Sequence, residues 1–314
     1  MEGFHAGQHL MIGFYGTELS AETQKLLRTV QSGGVILFAR NIVSAPQVRA
    51  LCRALPTQTI VAIDQENRRV NRLRDIIGEL PGIAEIESPG DFGRQIGSCL
   101  RGLGLHLDFA PVLDLELFDA KTENALNDRC WGQTADTVVA RAGAFLDGLQ
   151  SEGVAGCAKH FPGLGGARCD SHEELPMIRR TRAELEEDIA PYRRLQQKLS
   201  AVMVSHAQYP ALDDKPASLS SRIIGDLLRR ELGYTGLVVT DDLEMGALRP
   251  FGSVAENAVA ALEAGADLLL VCHTAERILA VHEALTKAAE QGKFKSTSGE
   301  RIEAFRKRWI DRKN

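Results

Sequence analysis

Short apolar runs alternate with amphipathic segments from one end of the chain to the other. The runs occupy residues 10–15, 34–38, 60–63, 105–110, 155–160, 201–205, 237–240 and 267–271. Each has the length of a β-strand, and most carry apolar residues at consecutive positions rather than at alternate ones. Strands of that kind are covered on both faces, which predicts a parallel sheet flanked by helices rather than a half-solvated antiparallel one. Between the runs, the apolar residues recur with helical spacing. Val48, Leu51, Cys52 and Leu55 share one face. So do Val138, Val139, Ala142, Leu146 and Leu149; Leu185, Ile189 and Tyr192; and Ile223, Ile224, Leu227 and Leu228, the last helix ending near Gly233. Ser44 with Gln47, Thr181 with Glu184 and Ser253 with Glu256 have the spacing of capping boxes, and Gly265 stands where a helix C-cap belongs.

Eight β-then-α units predict an α/β fold, a single (β/α)8 TIM barrel. An open doubly wound sheet is the competing layout, but no Gly-x-Gly-x-x-Gly follows the first run. There is no linker, low-complexity tract or internal repeat, so residues 1–314 read as one catalytic domain. Its strongly charged end, 294–314, reads as a peripheral last helix.

Composition narrows the function. Of 314 residues, 44% are hydrophobic and 25% charged, an ordinary globular balance. A net charge of −5 gives no electrostatic footprint for nucleic acid. No apolar run approaches the roughly 18 residues of a membrane span, and the N-terminus lacks the basic and apolar regions of a secretory signal. Six cysteines are widely spaced with no Cys-x-x-Cys pair, which suits reduced thiols in a cytoplasmic protein.

Barrel enzymes place their chemistry at the C-terminal ends of the strands, and polar residues collect there. The third run ends at Asp64, Gln65 and Glu66. The fourth passes Asp108 and leads to Asp114, and the fifth ends at Lys159 and His160. The sixth is followed by His206, the seventh by Asp241 and Asp242, and the eighth by His273. The most informative stretch is Lys159-His160-Phe161-Pro162-Gly163-Leu164-Gly165, with Asp170-Ser171-His172 just beyond. It offers two basic side chains at a strand tip, then a glycine-rich loop, then an Asp-x-His pair. A carboxylate accepting one ring N–H of a histidine fixes its tautomer and supports its protonated form, as a proton-transfer group requires.

These blocks resemble glycoside hydrolase family 3, and within it the single-domain bacterial β-N-acetylglucosaminidases. Lys159 to Gly163 matches the family's Lys-His-Phe-Pro-Gly signature, and Asp64-Gln65-Glu66 its Asp-Gln-Glu block. Phe109 to Asp114 matches its Phe-Ala-Pro-Val-Leu-Asp block, and Thr240 to Met245 its nucleophile segment. The resemblance covers nearly the whole chain. It implies exo-acting, retaining cleavage of terminal N-acetylglucosamine from β-glycosides such as cell-wall muropeptides, in peptidoglycan recycling. It makes Asp241 the nucleophile and His172 the acid/base, with Asp170 orienting it. Asp64, Arg72, Arg129, Lys159 and His160 become ligands of the sugar. It calls for no metal or cofactor. The partner is a small carbohydrate, with no nucleic acid and no membrane, and a monomer is expected.

Two departures bear on specificity. The Gly-Gly that usually follows Asp-Gln-Glu is Asn67-Arg68, which sets Arg68 at the pocket mouth facing an anionic aglycone. The family's Phe-Pro-Gly-His-Gly is Phe161-Pro162-Gly163-Leu164-Gly165, so the function of that histidine is absent. Three other readings remain open: a phosphorylase of the same fold, a sugar-binding paralogue without turnover, and a metal-dependent barrel hydrolase using Lys159, His160, His206 and Asp241. Whether the glycine-bearing Gly163–Cys169 loop closes over substrate is left open by the sequence.

Overall fold

The computed structural model describes residues 4–117, 126–167, 175–294 and 297–311. Eight parallel strands close into a barrel: β1 (Leu10–Ile12), β2 (Gly34–Leu37), β3 (Ile60–Ile63), β4 (Leu107–Asp108), β5 (Ala155–Phe161), β6 (Ala201–Val204), β9 (Leu237–Asp242) and β10 (Leu268–Val271). Each apolar run of the sequence supplies one staff of the barrel, as the pattern predicted. A two-stranded antiparallel hairpin, β7 (Gln208–Tyr209) and β8 (Asp213–Pro216), follows β6 and was not foreseen. The Asp213-Asp214-Lys215 stretch of β8 carries no apolar signal.

Successive strand residues face opposite ways, and both sides are dry. In β1, Leu10 and Ile12 pack outward under the helices while Met11 joins the barrel interior, and all three are fully buried. This is why the runs are continuous rather than alternating. The outer layer contains α1 (Ala21–Val30), α2 (Ala45–Ala54), the short α3 (Arg74–Ile77), α4 (Pro89–Leu103), α5 (Ala135–Ser151), α6 (Arg182–Leu195), α7 (Val254–Ala264), α8 (Ala275–Glu290) and α9 (Thr297–Trp309), together with a π-type helix at Arg222–Glu231.

The helix signals formed largely as spaced. Reciprocal capping boxes join Thr181 to Glu184 and Ser253 to Glu256, and Gly265 ends α7 at φ 113°. At α2 the pairing is not reciprocal. Ser44 caps the Gln47 N–H, but the Gln47 side chain accepts from Val43. No helix among the described residues is long and apolar enough to cross a membrane.

The charged C-terminal segment puts an apolar face to use. Ile302, Phe305 and Trp309 of α9 pack into the barrel interior from the N-terminal end. A buried carboxylate ties this floor together. Asp267 accepts from Arg229 (2.6 Å) and the Val238 N–H (2.8 Å) on one oxygen, and from both Nε (2.9 Å) and Nη2 (2.8 Å) of Arg301 on the other. Its carbonyl meets His9 Nδ1 at 3.0 Å. Removing one member of such a set strands the others in a low-dielectric site. Asp267→Ala is expected to cost about 3–5 kcal/mol in denaturant unfolding. A loss under about 1 kcal/mol would show that the arginines find water instead.

Candidate active site

Among the described residues, Asp64, Arg129, Lys159 and His160 stand at the C-terminal mouth of the barrel, where β3, β4 and β5 deliver their last side chains. Lys159 leaves β5 almost fully buried and reaches back to β3, with Nζ 2.7 Å from Asp64 Oδ1 and 2.7 Å from Glu66 Oε1. Arg129 closes the group by a bidentate contact, Nε to Glu66 Oε2 and Nη2 to Oε1, both 2.8 Å. Two anions and two cations thus share one small volume.

Burial alone would raise the Glu66 carboxyl, but Arg129 and Lys159 overcome it and hold the group well below the usual carboxylate range. Burial opposes charge on Lys159 as well, and Asp64 and Glu66 outweigh it, so the ammonium is kept. Arg129 is likewise desolvated and then held charged by Glu66. Glu66 stands in the Asp-Gln-Glu block, and the sequence assigns it no role. Its signal was its place one residue past a strand-end glutamine.

Gln65 sets the neighbouring parts. Fully buried, it donates its backbone N–H to Asp108 Oδ1 (2.9 Å), accepts from the Leu73 N–H (3.0 Å) and donates to Asn71 Oδ1 (3.0 Å). Those last two bonds bracket Arg72, whose Nε is buried without a hydrogen-bond partner among the described residues. Asp108 is completely buried, its Oδ2 without a hydrogen-bond partner among the described residues, and burial pushes its pKa well up, which favours the neutral carboxyl beside the charged cluster.

His160 is aimed by Asp114. The ring Nδ1 lies 2.7 Å from Asp114 Oδ2, and the other carboxylate oxygen accepts the backbone N–H groups of His160 (3.2 Å) and Leu164 (2.7 Å). A carboxylate acceptor places the proton on Nδ1 and leaves Nε2 as the ring's acceptor. Leu164 therefore serves Asp114 through its backbone, while its side chain sits in the apolar cluster outside the barrel.

Asp241 and Asp242 end β9. Asp241 is half-exposed, and its Oδ1 accepts the Asp242 N–H at 2.8 Å. Asp242 is committed to structure, accepting from the Glu244 N–H (3.1 Å) and pairing with His273 Nε2 (3.1 Å). Asp242 thereby fixes the turn after β9. His206 braces the same turn from β6. Its Nε2 is 3.0 Å from the Asp242 carbonyl and its Nδ1 2.8 Å from Ser218 Oγ. Burial lowers its pKa despite the Asp241 charge, so it works as a neutral donor to a carbonyl. With both ring nitrogens engaged, His206 does not join Lys159, His160 and Asp241 as a metal ligand. No group of three or more His, Cys, Asp or Glu among the described residues is placed to hold a metal ion.

Asp170 and His172 lie outside the described residues. The flanks of that segment are well packed. Tyr209 OH donates to the Gly163 carbonyl at 2.9 Å, and a Cβ on Gly165 would stand 2.2 Å from the Leu115 carbonyl oxygen. On the far side, Ile178 N–H bonds to Gln208 O (2.9 Å) and Gln208 N–H to Pro176 O (2.8 Å). Gly163 and Gly165 are thus sites of close approach, not free hinges. Arg68 also departs from its expected place. It is spent on Glu85 (2.8 Å) and Asp128 (3.6 Å), so it does not present an uncommitted cation to an aglycone.

With this geometry in hand, the profile of the glycosyl hydrolase family 3 N-terminal domain matches residues 5–308. The chain belongs to glycosyl hydrolase family 3. It is thereby a glycoside hydrolase, of the kind its curated relatives represent. It is 38% identical to a β-hexosaminidase of Pseudomonas aeruginosa over 275 residues, covering 84% of this chain and 82% of that one. It is 39% identical to a β-hexosaminidase of Alkalilimnicola ehrlichii over 290 residues, 87% of this chain and 82% of that one. Among solved structures, a family 3 β-N-acetylglucosaminidase from Paenibacillus superposes with a TM-score of 0.93 at 37% identity, covering 99% of this chain. The chain spans 63% of that longer protein. NagZ of Neisseria gonorrhoeae, solved with N-trifluoroacetyl-D-glucosamine, superposes with a TM-score of 0.79 at 31% identity, over 95% of this chain and 93% of that one.

Beneath the loop lies a carboxylate with an unusual proton. Asp188 of α6 is buried under Gly163, both oxygens lacking hydrogen-bond partners among the described residues, with Arg180 Nε 3.3 Å away. Burial raises its pKa to about 7, against the pull of Arg180 and with some help from Asp114. Because the folded-state value is raised, the folded protein holds a proton that the unfolded chain releases near pH 4. Stability is therefore greatest below the unfolded value and declines as pH rises toward 7. Relative to Asp188→Asn, the wild-type protein is expected to lose on the order of 2–3 kcal/mol between pH 5 and 8. Denaturant titrations of both proteins at the two pH values measure this, and a difference independent of pH would refute it.

Proposed function

We propose that this enzyme is an exo-acting, retaining β-N-acetylglucosaminidase that removes terminal non-reducing N-acetylglucosamine from β-glycosides such as muropeptides. The observation that carries the reading is the rigid cluster of Asp64, Glu66, Lys159 and Arg129 on the same barrel mouth as the half-exposed Asp241. A sugar ring offers hydroxyls that both donate and accept, and it binds best where charged partners are already fixed. Asp64 accepts hydroxyl protons, while Lys159 and Arg72 donate; the buried Arg72 Nε lacks a protein partner among the described residues. His160, oriented by Asp114, offers Nε2 to a further hydroxyl, and Arg129 completes the wall. The Neisseria relative's ligand, an N-acylated glucosamine, supports an N-acetylated substrate.

In the proposed reaction an oxygen of Asp241 bonds to the anomeric carbon as the glycosidic C–O bond breaks. The electron pair leaves with the aglycone oxygen, which takes a proton from His172. Water then attacks the same carbon, His172 takes its proton, and the Asp241 carboxylate is released. Two inversions give net retention. Asp170 is assigned to hold His172 in the tautomer this exchange needs.

Asp241→Asn is expected to lower kcat on an aryl N-acetylglucosaminide by at least roughly a thousandfold. His172→Ala should lose about 10²–10⁴-fold on a disaccharide and far less on a dinitrophenyl glycoside, whose leaving group needs no proton. Wild-type-like turnover by Asp241→Asn would refute the assignment. Sugar 1-phosphate as product in phosphate buffer would make the enzyme a phosphorylase, and binding without turnover a sugar-binding paralogue.

A further inference from the structure

The pair Asn67-Arg68 follows directly on the anion at the centre of the site. Asn67 is completely buried, and its side chain bridges two chain segments. Its Nδ2 donates to the carbonyl oxygen of Asp128, and its Oδ1 accepts the Arg69 N–H at 3.1 Å. The Asp128 carbonyl belongs to the peptide unit from which Arg129 departs. Glu66, one residue back along the same loop, holds the Arg129 guanidinium in a bidentate contact. The β3 loop therefore grips the Arg129 segment twice, at the guanidinium by Glu66 and at the preceding peptide by Asn67.

Asp128 carries the grip outward. It stands in the left-handed region at φ 57°, a costly conformation for a residue with a side chain. In that pose its Oδ1 accepts the Ile83 N–H at 3.0 Å. Arg68 adds an outer layer. Its guanidinium bonds to Glu85 (2.8 and 3.1 Å) and approaches Asp128 Oδ2 at 3.6 Å, and Glu85 also accepts the Gly82 N–H at 3.1 Å. The Arg68 N–H bonds to Pro81 O at 3.1 Å. Three loops that have no regular secondary structure in common are knotted at one point. The inner and outer layers differ in weight, because the Arg68 pair is half-exposed whereas the Asn67 side chain is fully buried.

We propose that Asn67 is a positioning residue for sugar recognition: by holding the Asp128 carbonyl it fixes the peptide that aims Arg129, and so keeps Arg129, Glu66 and Lys159 in their binding arrangement before substrate arrives. This rests on the assignment of Arg129 to the sugar site. Neither glycine of the family's usual pair has a side chain to make this bond. Here the long Arg129 side chain is ordered in advance by protein rather than by substrate, which lowers the ordering cost of binding. A hydrogen bond lost from this position changes ground state and transition state alike, so the effect falls on KM rather than on kcat.

The test compares wild type with Asn67→Gly by two readouts, N-acetylglucosamine affinity by calorimetry and solvent exchange of the Arg129 Nε–H by NMR. The expected result is roughly tenfold weaker affinity, a matching rise in KM with kcat little changed, and at least about tenfold faster exchange of the Nε–H. Should Asn67→Gly fail to fold, Asn67→Ser serves, since its hydroxyl is too short to span to the carbonyl while its backbone is no freer than that of asparagine. Arg68→Ala is expected to leave both readouts within about twofold. Unchanged Nε–H protection in the Asn67 variants, even with a lower melting temperature, would overturn the proposal and make Asn67 purely structural. Loosening in Arg68→Ala alone would overturn it too, giving the task to the outer pair. If the wild-type protein showed no affinity for the sugar, the substrate reading would fall, and the exchange measurement would still decide the clasp.

Discussion

A buried anion that cannot be left alone organises this molecule's active face. Glu66 sits in the protein interior between Lys159 and Arg129, and its charge is stable there only while both cations stay within hydrogen-bond reach. Lys159, in turn, is buried only because Asp64 and Glu66 receive it. Three segments of the chain are brought to one point by this reciprocal need: the end of β3, the end of β5 and the stretch around residue 129. The cluster is ordered by its own ion pairs, two cations offsetting two anions, with no ligand needed to hold them.

Around that cluster each group is held by a buried neighbour. Gln65 braces the loop bearing Arg72, Asp114 orients His160, and His206 steadies the turn that carries Asp241. The opposite face of the barrel follows another logic. Asp267 and its arginines lock the floor, and α9 closes it with Ile302, Phe305 and Trp309. Function at the strand C-termini and stability at the N-termini is the division of labour this architecture permits.

The fold was legible because its strands are dry on both sides. A run such as Ile60–Ile63 reads as a strand without help from its neighbours. The hairpin of β7 and β8 was not legible, since Asp213–Pro216 pairs through its backbone and its composition signals a loop. Within the site, Asp64, Lys159, His160 and Asp241 could be singled out from the strand ends, and Arg129 only through the family resemblance. Their partners could not. That Arg68 turns to Glu85 instead of the pocket, or that Gly163 exists to make room for Asp188, depends on contacts between residues far apart in sequence. A glycine-rich loop looks the same in sequence whether its glycines permit motion or close packing.

The central claim is that Asp241 bonds to the sugar held by this cluster. Mass spectrometry of the enzyme inactivated by a 5-fluoro-N-acetylglucosaminyl fluoride tests it most directly. The account predicts one sugar residue added, on the peptide containing Asp241. A label on another carboxylate, or turnover with inverted anomeric configuration and no adduct, would contradict it.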